Sequence, residues 1–598
     1  MAYLPRLARR SAKQLITGEF GGLNRAPAIG DGEWSAMQNL SARAYPLLCP
    51  RLPRGTVQAL TKPQGILGRD KLCVIDNGTI YYDGTAVEGV TLSTADADMP
   101  KRLVSMGAYV CIWPDKKYFN TVDPSDCGSM EGAYASQGSV IFTPCRLDGS
   151  DFGNVTVSAS APEDPENGEY WIDASEDTHQ LRMWSDTAGA WTAILTVYTR
   201  IQASGIGAAF SKGDVVELSG IAGGTEADAA LKKQLEALNG ARYVYGVDSD
   251  YITVEGLLDA AYEQESGQVT CKRSVPEMEY VVECGNRLWG CHYGLGTDGK
   301  IVNEIYACRL GDFKNWRVYQ GTSMDAYALS VGSDGPWTGA ITYGGMPTFF
   351  KENVLHKIYG SQPSNYQSMD TQLRGVKRGC AGSLQCVDGA LIYRSPAGIE
   401  MYDGSMPVAI GAPLGEELGA GAEAGVLGRR YYISLQDAKG QWALYCYDTA
   451  AGLWHREDAT HALMLAAYAG ELYYVDADSR RLMTACGGAG EQEKAVKWWC
   501  ESGMQTYEYV NHKYVTRYNI RAQLSQGARL RVYIRYNGRG VWQMKANITS
   551  DAAGTRTLLV PVYPRRCDHM QLRLEGEGEI KVFSIARLLT NGGDGQHG

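Results

Sequence analysis

Residues 68–85 read GRDKLCVIDNGTIYYDGT, and the fold follows from how that stretch is read. An apolar run, LCVID, meets Asn77-Gly78 and continues as a second β-prone run, TIYY. Asn-Gly between two such runs is the strongest short hairpin signal, because both turn residues must take positive φ to match the twist of the strands. The plan recurs in KRLVSMGAYVCIWPDKKYFNT (101–121), and again in EYVVECGNRLWGCHYG (279–294) with NEIYACRLGDFKNW (303–316). It continues in WTGAITYGGMPTFFKENVLHKIYG (337–360), SLQCVDGALIYRSPAGIEMYDG (383–404), GVLGRRYYISLQDAKGQWALYCYDTAAGLWHRED (425–458) and LAAYAGELYYVDADSRRLMTA (465–485). A lone hairpin of this size cannot bury its faces. A series of them at intervals of roughly 30–45 residues predicts the blades of a β-propeller, six to eight in number.

Between these repeats lies a long interruption, 128–276. NGEYWIDASEDTHQLRMWSDTAGAWTAI (167–194) alternates on a strand period, and FSKGDVVELSG with LNGARYVYGVDSDYITVEG reads as a small barrel or sandwich. EADAALKKQLEALNG carries Leu231, Leu235 and Leu238 at helical spacing with a glycine stop, so a helix is expected there. From about residue 491 longer alternating strands predict a C-terminal β-sandwich over 491–598. The expected order is an extended N-terminal arm (1–60), first blades (61–127), inserted β-modules (128–276), remaining blades (277–490) and the sandwich. The fold class is mainly β.

Composition agrees. Glycine (71) and tyrosine (37) are abundant and phenylalanine (9) is scarce, as short strands and tight turns require. A net charge of −10 argues against a protein that wraps nucleic acid by neutralising phosphates. Arg6, Arg9, Arg10 and Lys13 precede Gly18 without the apolar run of a secretory signal, and no stretch has the length of a membrane span. The fifteen cysteines include no Cys-x-x-Cys, and the closest pairs are Cys284/Cys291 and Cys380/Cys386. They read as buried apolar thiols rather than zinc ligands.

The candidate chemical motifs are weak. GLGTDG (294–299) matches a dinucleotide pattern but lies between two strands with no helix behind it. SDTAGAWT (185–192) approaches a sialidase Asp-box but has Thr187 at the aspartate position. His455 and His461 with Glu457 and Asp458 read as chance neighbours in an exposed inter-strand loop. Asp96/Asp98 and Asp476/Asp478 lack the rest of a calcium loop. No Ser-His-Asp elbow or P-loop is seen, so the reading expects no catalytic, cofactor or metal residues and no enzyme.

One stretch fits none of these patterns: FGGLNRAPAIGDGEWSAMQNLSARAYPLLCPR, residues 20–51. It resembles the N-terminal segment of tail proteins of bacteriophages, GGLN…DGE…MxNLs…yPxLxpR. The matching residues are Gly21, Gly22, Leu23, Asn24, Asp31, Gly32, Glu33, Met37, Asn39, Leu40, Tyr45, Pro46 and Arg51. DGPWTGAITYGGMPTFFKENVLHKIYGSQPSNY (334–366), GIEMYDG (398–404) and VPVYPRRCDHMQLRLEGEGEIKVFSIAR (560–587) resemble later parts of the same proteins. The resemblance implies a nozzle or tubular (hub) subunit of a short-tailed phage. Such a subunit would form a homo-oligomeric, hexameric ring around the DNA channel and function in DNA ejection. It would contact an adaptor above and fibre or tip proteins outside, and reside in the virion after assembly in the host cytoplasm.

Glycines and prolines in the opening stretch suit an extended arm, either laced onto a neighbouring subunit or belting its own propeller. An acidic conduit would let double-stranded DNA slide without specific binding. A second expectation is a tail propeller that binds or cleaves host-surface carbohydrate, since 13 Trp and 37 Tyr offer stacking platforms. A third is a head–tail connector or stopper.

Overall fold

The computed structural model describes residues 12–95, 100–153, 155–296, 299–415, 418–507 and 512–591. The chain is mainly β, and among the described residues one α-helix, Ala229–Ala237, is present. It resolves into two compact units, 1–103 with 333–357 and 368–598, and 104–332 with 358–367.

The quoted hairpin forms as read. Asn77 (φ 48°) and Gly78 (φ 77°) make the turn, and Asp76 pairs with Thr79. Similar two-residue turns with positive φ at both positions occur at Gly344-Gly345, Asp388-Gly389 and Ala469-Gly470. In chain order the repeats give seven sheets of at least four strands. The first comprises Pro63–Gly68, Leu72–Asp76, Thr79–Tyr82 and Thr85–Ala86. The second runs from Arg102–Met106 to Cys127–Ser129, the third from Tyr280–Glu283 to Tyr327–Ser330, and the fourth from Gly339–Tyr343 to Gln367–Gln372. The fifth runs from Gln385–Val387 to Val408–Ala409, and the sixth from Leu418–Leu427 to Leu453–Asp458. The seventh is built differently: Ala462–Tyr468, Glu471–Asp476 and Arg481–Thr484 take strand Gly55–Ala59 from the start of the chain. Central strands are buried along consecutive residues, as in Val110–Trp113 and Tyr431–Leu435, because other elements cover both their faces.

In the first unit, two further sheets share one core. Ala12–Thr17, Ile580–Asn591, Lys513–Leu524 and Gly554–Pro561 form a four-stranded sheet. Trp34–Gln38, Lys497–Ser502, Met570–Glu577, Arg529–Tyr536 and Arg539–Thr549 form a five-stranded one. Alternate residues such as Tyr518, Ile520, Leu530, Val532, Leu574 and Ile585 turn inward between them.

The opening stretch is paired within its own chain. Ala12–Thr17 lies along Ile585–Thr590, and Trp34–Gln38 along Trp499–Ser502. Between them Gly22 passes so close to Trp454 that a Cβ would sit 2.1 Å from the Trp454 carbonyl oxygen, which leaves room for glycine alone. Leu23 N–H donates to that same carbonyl.

The second unit contains the interruption. An eight-stranded sheet bends around Phe142, Ile201, Val216, Leu235, Val244 and Ile252. Its helix starts where Asp228 accepts from Leu231 N–H, and it buries Leu231 and Leu235 on the expected face. A small four-stranded sheet lies at 156–193. The interruption is not a loosely attached loop, because Met130 and Val275 at its ends belong to the core formed with Trp113, Leu288 and Trp316. Lys116 Nζ fastens both ends, bonding Glu131 at 2.9 Å and Glu277 at 2.7 Å.

One carboxyl in the first unit makes stability depend on pH. Glu423, on the first strand of the sixth sheet, lies under Gly382, where a Cβ would meet its Oε2 at 1.7 Å. Burial pushes its pKa up to about 7, with Arg102 pulling the other way. The neutral acid is therefore the form the fold favours. Its contribution is complete below the ordinary value of 4.5 and is lost as pH rises through about 7. Glu423→Gln is expected to melt above the wild type at pH 8, by an amount corresponding to about 1–3 kcal/mol, and close to it at pH 5. Thermal melts at the two pH values check this.

Candidate functional site

The outer face of the five-stranded sheet carries alternating charged and aromatic groups. The strand period of two sends Trp498, Cys500, Leu530, Val532 and Leu574 inward, and Lys497, Trp499, Glu501, Arg529, Arg531, Arg573, Glu575 and Glu577 outward. Register then sets the rows. Lys497, Glu577 and Arg529 lie opposite one another, as do Trp499, Glu575 and Arg531. Each carboxylate of the middle strand therefore sits between side chains of opposite charge or an aromatic ring.

Several bonds hold this face in place. Arg573 Nη2 lies 2.7 Å from Glu575 Oε1, its Nη1 pairs with Glu501, and its guanidinium sits 4.7 Å from the Trp499 ring centroid. Burial alone would lower the Arg573 pKa, but the bonds to Glu501 and Glu575 outweigh it and raise the value. Trp499 Nε1 donates to Gln38 Oε1 at 3.1 Å, and Arg529 Nε donates to Asn547 Oδ1 at 2.8 Å. Over these residues runs a groove of about 270 Å³, lined by Lys497, Trp499, Arg529, Arg531, Glu575 and Glu577 together with the Trp498–Gly576 pair. Its chemistry is a flat indole edged by planar donors and acceptors. Such a surface suits a polyhydroxylated ligand, whose C–H face stacks and whose hydroxyls bond in pairs.

A second constellation lies in the fourth sheet and the segment before it. Ser333 Oγ is 2.8 Å from His356 Nε2, and His356 Nδ1 is 2.6 Å from Asp370 Oδ1. The sequence reading found no Ser-His-Asp elbow, and no motif links positions 333, 356 and 370. Neighbouring strands Val354–Tyr359 and Gln367–Gln372 bring His356 and Asp370 together, and the segment before the sheet brings Ser333.

The residues singled out from the sequence separate. His455, Glu457 and Asp458 do not lie in an exposed loop. They belong to strand Leu453–Asp458, which pairs with Trp442–Asp448, and His455 and Glu457 are buried. Burial drives the His455 pKa down to about 4, so this imidazole is neutral at pH 7. Glu457 and Asp458 receive Arg54, at 2.8 and 2.6 Å. His461 instead stacks on Trp442, with ring centroids 3.7 Å apart. Asp476 accepts from Ser479 within a turn.

Ser185–Thr192 is a hairpin turn whose Trp191 packs against Trp171 and Trp184. Gly294 and Leu295 end a strand, while Thr297 and Asp298 of the glycine motif lie outside the described residues, as do Asp96, Asp98, Arg6, Arg9 and Arg10. All fifteen cysteines are free thiols, twelve of them buried. Among the described residues no group of three or more His, Cys, Asp or Glu side chains is placed to hold a metal.

No protein-family model matches the chain, and no curated protein matches it. Solved structures similar to it include an exo-β-1,3-galactanase from Phanerochaete chrysosporium, at 11% identity and TM-score 0.21, over 51% of this chain and 94% of that one. Another is PorZ, a surface component of the type-IX secretion system of Porphyromonas gingivalis, at 12% identity and TM-score 0.25, over 88% and 87%. A third is a family 43 arabinoxylan arabinofuranohydrolase from Bacillus subtilis, at 11% identity and TM-score 0.19, over 52% and 95%. Likenesses of this size transfer no activity or substrate. They do correct one expectation: glycoside hydrolases stand among the similar structures, so the reading that the chain is not an enzyme is withdrawn.

Proposed function

We propose that the chain is a subunit of a short-tailed bacteriophage tail, of the nozzle or hub kind. In this reading its repeated sheets are propeller blades, and the subunit forms a ring around the DNA channel. The observation that carries the reading is where the thirteen residues of the resemblance sit. Gly21 and Gly22 allow close passage against Glu33 and Trp454. Asn24 donates to Glu33 Oε1 at 3.0 Å, and Asp31 accepts from Arg587 at 2.8 Å. Gly32 takes φ 96°. Leu23, Met37 and Leu40 are buried, and the Pro46 carbonyl accepts from Phe20 N–H. Asn39 Oδ1 accepts from Arg51, which pairs with Glu493 at 2.7 Å, while Tyr45 bonds Glu19. In this reading these positions anchor the segment to the rest of its chain. Cryo-electron microscopy of particles from the producing phage, with mass photometry of the purified chain, tests the reading. A ring in the tail supports it, and a stable monomer absent from particles overturns it.

A second reading is contact with host-surface carbohydrate, and the groove over Trp499 favours it. Binding to an array of bacterial surface polysaccharides is the expected result. Trp499→Ala should weaken it at least tenfold, the equivalent of about 1.4 kcal/mol, with a cooperative melt showing that the variant is still folded. A chain that binds no polysaccharide, or binds equally without the indole, would remove this reading.

A further inference from the structure

We propose that Ser333 is the nucleophile of a hydrolytic site for small carboxylic esters, with His356 as its general base and Asp370 as the residue that positions the imidazole. The site lies outside the groove, and the proposal stands whether or not the chain belongs to a tail. Two contacts set the tautomer. The Asp370 carboxylate can only accept at 2.6 Å, so His356 Nδ1 carries the proton. Nε2 then presents its lone pair to the Ser333 hydroxyl, 2.8 Å away. Burial lowers the His356 pKa, Asp370 opposes this and Lys351 reinforces it, with a net lowering that leaves a neutral base at pH 7. A neutral imidazole bonded to a hydroxyl and oriented by a carboxylate is the arrangement that activates a serine.

The surroundings hold the relay still. His356 is fully buried on strand Val354–Tyr359, with the Trp337 ring edge-on at 5.2 Å. Lys351 Nζ sits 4.5 Å over that indole and donates to the Ser333 carbonyl at 2.8 Å. Lys351 thus fixes the main chain of the nucleophile through its carbonyl. Ser333 itself is half-buried, and its neighbours Asp334 and Pro336 are exposed. The Asp370 side chain is 50% exposed and also accepts from Ser368, so its part is orientation more than field.

The step balances without a further reactant. Ser333 Oγ forms a bond to the ester carbonyl carbon as its proton passes to His356 Nε2. The ester C–O bond then breaks, and the alcohol leaves with that proton. Water repeats the sequence on the acyl-serine, giving a carboxylic acid and the free hydroxyl.

Treating the full-length chain with a fluorophosphonate probe and mapping the adduct by mass spectrometry tests the proposal. A single adduct on Ser333 is expected, absent from Ser333→Ala. Asp370→Asn should slow labelling about 100-fold or more while its melting temperature stays near that of the wild type. Hydrolysis of p-nitrophenyl acetate should fall in parallel. An unlabelled Ser333 in folded wild type, or labelling indifferent to Asp370→Asn, would reduce the relay to a hydrogen-bonded strut and overturn the proposal.

Discussion

Deleting residues 18–54 is expected to abolish the folded state of the first unit, giving insoluble chain or a species without a cooperative melt. The segment buries Phe20, Leu23, Trp34, Met37, Leu40, Leu48 and Cys49 in or beside the core of the two C-terminal sheets. More telling is what the deletion leaves behind. Strand Lys497–Ser502 loses its neighbour Trp34–Gln38 and becomes a raw edge. The Trp454, Glu457 and Lys497 carbonyls lose the donors Leu23 N–H, Asn39 N–H and Asn39 Nδ2. Arg587, 3% exposed, loses Asp31, the carboxylate it pairs with, and stands as a buried cation without its counter-charge. Each such orphan costs about 1–3 kcal/mol, against a whole-domain stability of about 5–15 kcal/mol. Circular dichroism and sedimentation of the truncated chain decide the matter. A soluble, β-rich protein melting as the parent does would show that the segment is dispensable to its own chain and free for a neighbour.

Arg54→Ala is expected to destabilise the protein by about 3–5 kcal/mol at pH 7, because it takes from two carboxylates the cation bonded to both and leaves only the more distant Arg51. Arg54 Nη2 bonds Glu457 Oε2 at 2.8 Å and Nη1 reaches Asp458 Oδ2 at 2.6 Å, with Thr460 on the same nitrogen. Its guanidinium also lies 5.5 Å from the Tyr474 ring centroid. The pH dependence carries the signature. Burial would raise Asp458, but Arg54, the hydrogen bonds from Thr460 and Arg51 together outweigh it, and its pKa is lowered. The wild type therefore holds this contribution above the ordinary value of 3.8 and loses it as pH falls through the folded value. Glu457 is raised, burial exceeding the pull of Arg54 and Arg51. In the variant both acids are relieved by protonation, so its deficit relative to wild type should shrink between pH 7 and pH 4. Urea unfolding at the two pH values reads this directly. Arg54→Lys keeps the charge but not the two-pronged fork, and should fall between. A deficit independent of pH would mean that lost packing, not lost pairing, causes the effect.

Much of this architecture is legible in the sequence because its causes are local. Asn77-Gly78 has the backbone freedom its turn requires, and the period of two in RLRVYIRY and MQLRLEGE marks which residues face the core. Leu231 and Leu235, behind the cap of Asp228, announce the helix. The outward charges of the C-terminal strands can be read in the same way. Their assembly into a groove cannot, because it depends on which of five strands lie side by side.

Where the sequence misleads, the missing information is long-range. HREDATH at 455–461 looks like an exposed polar loop until Arg54, some four hundred positions earlier, enters to neutralise it. Ser333, His356 and Asp370 share no motif and meet only through the pairing of one sheet with the segment before it. The proline- and glycine-rich opening shows no period of its own, so its sequence marks it as extended without saying what it lies against. By itself, then, the sequence determined the strand content, the hairpin turns, the helix and the inward face of the alternating C-terminal strands, since these depend on neighbours within a few residues. Only the tertiary structure decided that the first strands complete the last sheets, that buried charges are paired, and that a serine, a histidine and an aspartate stand in line. Those outcomes depend on pairing between distant segments, and local propensity carries no record of it.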